Sequence, residues 1–225
     1  MKFPNRFFCG SKVENKGRKY KKINKIKNMD TINIVEKAIM KAIELHKGQF
    51  RKGNGKVPYV VHPLEVGIIV ARYTTGSELI TAAILHDTIE DCKYLIEELE
   101  SEFGAEVKNL VSSLTEDKSI TDWVDRKNEN LRRLRANQDA YFIKSVDTLA
   151  NMRSLLSAIK EEGSVVWTWF NASKDKEMEY FKVILQDTGE FLPKKHLEEY
   201  VSVLKDLEYS EFLENNTSLG FVVDK

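Results

Sequence analysis

The sequence is poor in the residues that turn-rich and disulfide-built folds require. Among 225 residues there are 4 prolines, 11 glycines and 2 cysteines. So few turn formers exclude a β architecture of many short strands. Cys9 and Cys92 fit neither a disulfide framework nor a zinc-ribbon spacing, so they read as free thiols in a reducing, cytoplasmic setting. No apolar run reaches the roughly 18 residues that cross a bilayer. The basic start lacks the apolar stretch of a secretory signal and is too lysine-rich for a transit peptide. No internal repeat is present. What remains is ordinary for a globular protein, with 42% hydrophobic and 31% charged residues, and the length suits one domain with a sizeable core.

A formal net charge of zero conceals an asymmetry. Residues 1–29 hold ten Lys/Arg against the single acid Glu14, and the remainder holds 25 basic and 34 acidic residues. The body is therefore net negative, which argues against nucleic-acid binding through the fold itself. Residues 1–28 read as a basic, disordered extension, or as a segment ahead of a true start at Met29. Residues 29–210 read as the domain, and 211–225 as a loose tail.

The periodicity predicts an all-α fold of roughly eight to ten helices. Val35, Ala38, Ile39, Ala42 and Ile43 mark a first helix, with Asp30 or Thr31 as its N-cap and Gly48 as its stop. A loop follows over 48–61. Pro63 then opens a helix to about Tyr73, with His62 as N-cap. Ser77 caps a helix over 78–91, and two more run to Gly104 and to Leu114. Residues 122–138 read as a helix whose charges form a solvated face. A long apolar-striped helix covers 139–161, and two more follow, around 178–186 and after Pro193. His46 reads as packing and His196 as surface. Trp123, Trp167 and Trp169 read as core or helix-junction packing.

The segment Ala83-Ile-Leu-His86-Asp87-Thr-Ile-Glu90-Asp91 stands out because four ionisable groups occupy two turns of an otherwise apolar helix. Burial of such groups is costly unless they are paired or hold a metal. His62 lies at one helix start, and Asp147 lies on another apolar helix with Asn151 one turn later. Two imidazoles and two carboxylates suit a borderline-to-hard divalent ion such as Mn²⁺ or Fe²⁺ and leave positions open for water and substrate. Glu90 and Asp91, each one turn from His86 and Asp87, are placed to accept a proton from an activated water. Arg51 and Lys52 supply positive charge for a polyphosphate.

In order, His46-Lys-Gly-Gln, Arg51-Lys52, Pro58-Tyr59-Val-Val-His62-Pro63, the His86-Asp87 segment, Leu114-Thr-Glu-Asp-Lys118 and Asp147-Thr-Leu-Ala-Asn151-Met-Arg153 resemble the HD-domain hydrolases of the RelA/SpoT type. The resemblance covers roughly residues 32–188, and 169–181 is similar to the small single-domain members. It implies an HD helical bundle with no synthetase half. It implies one Mn²⁺ on His62, His86, Asp87 and Asp147, and water activation by Glu90 and Asp91. Arg51, Lys52 and Asn151 match nucleotide-site positions. The implied reaction removes the 3′-pyrophosphate of ppGpp to give GDP and pyrophosphate. The partner is then a small nucleotide, with no membrane and no nucleic acid, and a homo-oligomer is compatible with the sequence. Thr148 and Ala150 stand where the family carries a basic and an aromatic residue. That departure keeps ppApp, NADPH or a dNTP open as substrates, and a catalytically inactive regulatory module as a further alternative.

Overall fold

Helix α7 (Gln138–Glu162) is the element around which the others assemble. Its buried residues, among them Tyr141, Ile143, Val146, Leu149 and Met152, lie on all its sides. A helix buried on every side over 140–150, apart from partly buried Lys144, belongs in an interior. The Asn137 side chain caps its start by accepting from Ala140 N at 3.1 Å, and Gly163, at φ 74°, ends it.

The computed structural model describes residues 25–53 and 57–217. Nine α-helices and one 3₁₀ segment lie among the described residues: α1 (Lys25–Leu45), α2 (Val61–Val70), α3 (Ser77–Leu85), α4 (Thr88–Cys92), α5 (Ile96–Leu114), α6 (Trp123–Leu134), α7, the 3₁₀ turn Gly163–Trp169, α8 (Lys174–Thr188) and α9 (Lys194–Thr217). They contain no strand, only an isolated bridge between Phe50 and Pro58. The expected all-α class and helix number hold. Helix α3 packs on α1, α2 and α5, while α7 packs on α2, α5, α8 and α9. At the α2–α3 contact a Cβ on Gly67 would overlap the Ile84 side chain, so glycine is what lets these helices approach.

Several boundaries differ from the sequence reading. Helix α1 begins at Lys25, ahead of the expected Asp30/Thr31 cap, while the rest of the basic extension lies outside the described residues. Helix α2 begins at Val61 after a turn in which Val61 N and His62 N donate to Pro58 O and Tyr59 O, so His62 sits inside the first helical turn. Ser77 is the first residue of α3, bonded to Glu78 instead of capping. The expected 78–91 helix is broken at His86–Asp87. Thr88 Oγ1 donates to Leu85 O at 2.7 Å and His86 Nδ1 to Ala83 O at 2.8 Å, while Asp87 adopts φ −95°, ψ −4°. Side chains thus take carbonyls that the helix ladder would have used. The expected tail is helical through Thr217, and residues 218–225 lie outside the described set.

The charged helix α6 is no mere solvated face. Arg133 donates to Ser112 O (2.8 Å) and Thr115 O (2.7 Å), and buried Asn130 donates to Ser113 O (3.1 Å) and Leu114 O (3.3 Å). These are the orphan carbonyls at the end of α5. His196, expected at the surface, is fully buried among Tyr73, Phe142 and Tyr200, with Nε2 3.0 Å from Ser145 Oγ. Burial pushes its pKa down to about 4.

Candidate metal centre

The break between α3 and α4 turns His86 and Asp87 toward the start of α2 and the middle of α7. His86 Nε2 lies 3.1 Å from Asp87 Oδ1, and His62 Nε2 lies 3.8 Å from Asp87 Oδ2. Ligand atoms of His62, His86 and Asp87 all fall within 4.8 Å of one another. Asp147 Oδ1 is 3.0 Å from His62 Nε2 and 3.7 Å from His86 Nε2. The four residues expected to share an ion therefore converge, from three stretches of chain.

The donors fit a divalent cation. His86 Nδ1 faces a carbonyl, which only accepts, so Nδ1 carries a proton and Nε2 is the ring atom that faces the site. That buried Nε2 has no hydrogen-bond partner. Burial alone would push the His86 pKa down, but Asp87 and Asp147 hold it well above the usual imidazole value. Burial likewise opposes ionisation of both carboxyls. His86 nevertheless keeps Asp87 well below the carboxylate range, and Lys144, with the two imidazoles, does the same for Asp147. Two ionised carboxylates here call for positive charge, which a proton on His86 supplies and a bound cation would replace.

The centre opens into a cleft of about 1090 Å³. On its rim Arg51 Nη2 donates to Asn151 Oδ1 at 2.9 Å, and Asn151 Nδ2 donates to Asp147 Oδ1 at 2.7 Å. Lys52 Nζ donates to Trp169 O at 2.7 Å and lies 5.3 Å from the Phe170 ring centre. Gly53, at φ 106°, sits against the Trp169 ring, where a Cβ would come within 3.0 Å. Glu90 Oε2 accepts from Glu116 N at 3.2 Å, and Lys118 Nζ lies 3.4 Å from both Glu90 and Asp91. Burial and neighbouring Glu116 raise the Glu90 pKa. The three nucleotide-site candidates and both candidate proton acceptors thus line one cleft.

Sequence reasoning gave no site role to six residues found here. Lys144 is buried and sits 2.9 Å from Asp147 Oδ2. Its signal is a basic residue three positions before the ligand on one helix. Glu116 carries Arg126 and Lys127 on its carboxylate while its N–H holds Glu90. Trp123 and Trp169, both read as packing, form cleft wall. Tyr59 donates to Asp87 Oδ2 at 2.6 Å and lies 3.2 Å from Asp91 Oδ2. His46, expected to pack, stacks on Tyr59 at 4.9 Å.

The chain is similar to several known proteins. The chain is 34% identical over 143 residues to the guanosine-3′,5′-bis(diphosphate) 3′-pyrophosphohydrolase MESH1 of Xenopus tropicalis, covering 63% of this chain and 75% of that protein. It is 38% identical over 122 residues to the Haemophilus influenzae protein of the same enzyme name, spanning 18% of that longer chain. A solved metazoan ortholog of SpoT, described as hydrolysing ppGpp, shares the fold with a TM-score of 0.63 at 24% identity, covering 76% of this chain and 94% of that one. The family model described as HD domain matches residues 38–175, more than half of the chain, and the protein belongs to the HD domain family.

Proposed function

We propose that the protein is a metal-dependent hydrolase that removes pyrophosphate from the 3′ position of ppGpp, consuming water and giving GDP and pyrophosphate. The observation that carries this reading is the convergence of His62, His86, Asp87 and Asp147 beneath a cleft rimmed by Arg51, Lys52 and Lys118. Support comes from relatives named for this reaction, one of them aligned over three quarters of its own length.

His62, His86, Asp87 and Asp147 would hold one ion, for which Mn²⁺ suits the mixed nitrogen and oxygen donors. Such an ion supplies Lewis acidity toward a phosphate oxygen and acidifies water. Glu90 takes the proton of the attacking water, and its raised pKa suits a group that must accept a proton and release it again. Asp91 lies beside it, and Lys118 balances the charge of both. Arg51 and Lys52 face the polyanion and offset its charge. Asn151 joins Arg51 to Asp147, so a substrate contact and a ligand share one side chain. The free thiol of Cys92 accords with a cytoplasmic protein.

Thr148 and Ala150, in place of a basic and an aromatic residue, keep a second reading in view, in which the same groups act on ppApp or NADPH. A panel of ppGpp, pppGpp, ppApp, NADPH and dGTP assayed with Mn²⁺ tests both. Pyrophosphate release from ppGpp is expected, and turnover confined to NADPH or dGTP would overturn the reading.

A further inference from the structure

We infer that the Tyr59 hydroxyl is a positioning group that fixes the orientation of Asp87. The inference rests on the metal-site reading above and adds a residue to it.

A phenol has one proton to donate at neutral pH. Tyr59 directs it at Asp87 Oδ2, 2.6 Å away, with Asp91 Oδ2 at 3.2 Å. A carboxylate tied through one oxygen cannot rotate freely. The bond to Oδ2 leaves Oδ1 directed toward His86 Nε2, 3.1 Å away. The same hydroxyl stands against the oxygen of Asp91 opposite the one that faces Lys118. The one proton thus orients the candidate ligand Asp87, with Asp91 as a near neighbour of the same hydroxyl.

The ring is itself held on several sides. Tyr59 N donates to Gln49 O at 2.9 Å, and Arg51 N donates to Val57 O at 2.9 Å, which pins the loop as a short bridge. His46 stacks on one ring face with planes inclined by 29°, and its Nδ1 lies 2.7 Å from Gln49 Oε1. The Arg51 guanidinium lies 5.7 Å from the ring centre. Such support around a hydrogen bond to a ligand is the arrangement by which outer residues tune a metal site.

The test is Tyr59→Phe in the full chain, which keeps the ring and removes only the hydroxyl. Protein stripped of metal with a chelator is titrated with Mn²⁺ by calorimetry. Mn²⁺ affinity is expected to fall about tenfold. With ppGpp, kcat should fall by tenfold or more while KM stays within about threefold, because the substrate contacts are untouched. The chelated variant should melt within a few degrees of wild type. His46→Phe, which keeps a stacking ring, should bind Mn²⁺ within threefold of wild type. Unchanged Mn²⁺ affinity and kcat in Tyr59→Phe would overturn the inference. So would an equal loss in His46→Phe, which would assign the effect to packing. If wild type does not act on ppGpp, the proposed reaction falls and the Mn²⁺ titration alone decides the role of Tyr59.

Discussion

At the scale of single residues, Asp87 does two things at once. It offers Oδ1 toward His86 and accepts the Tyr59 proton on Oδ2. Asp87→Ala should therefore abolish Mn²⁺ binding in calorimetry and with it all turnover. Glu90→Gln should leave Mn²⁺ affinity near wild type while kcat drops by roughly two to four orders of magnitude, the usual worth of a positioned proton acceptor. A fully active Glu90→Gln enzyme would remove Glu90 from the role assigned to it. His196 gives a prediction about stability. Burial holds it neutral in the folded state down to about pH 4, whereas in the unfolded chain it takes a proton near 6.5. Between those values the unfolded state binds more protons, so stability is lost as pH falls, by on the order of 2–3 kcal/mol. Denaturant titrations of wild type and His196→Phe from pH 7 to 4 should show curves that differ in slope only in that window.

At the scale of elements, the α2–α3 contact carries His62 on one helix and leads to His86 on the other. Gly67→Ala drives a methyl into Ile84, and overpacking of this kind costs roughly 1–3 kcal/mol. The cost should shrink in an Ile84→Ala background, a coupling that a double-mutant cycle by thermal denaturation would read. The helices were largely legible in the sequence because their apolar periodicity is strong, as in α5, where buried Leu99 and Phe103 precede the kink at Gly104 (φ 87°), the expected helix end, and Val107, Leu110, Val111 and Leu114 follow it at helical spacing. The break at His86–Asp87 was not legible. Every residue there tolerates a helix, and the break arises from side-chain bonds to carbonyls that no periodicity encodes. Likewise α6 read as solvated because its hydrophobic content is low. Nothing local reveals that Arg133 and Asn130 reach the end of α5.

At the scale of the molecule, the candidate ligand set was readable because its residue types and order resemble a known family, not because any one of them is distinctive. Lys144 and Tyr59 were not readable as site residues, since their importance lies in tertiary contacts with Asp147 and Asp87. No helix among the described residues is long and apolar enough to cross a membrane. An ion bound only by the folded chain stabilises it by mass action, by about 2.7 kcal/mol at a hundredfold excess over Kd. Mn²⁺ should accordingly raise the melting temperature and a chelator should lower it. The gain should fade in acid, because protons compete for His86, whose pKa Asp87 and Asp147 hold above the usual imidazole value. The spacing of the ligands along the polypeptide has a further consequence for a protein made from its N-terminus onward. His62, His86 and Asp87 leave the ribosome well before Asp147, which arrives with the helix that forms the interior. A nascent chain that has not reached α7 lacks one of the four candidate donors, so a site built from all four can close only after synthesis has passed α7 and that helix has docked.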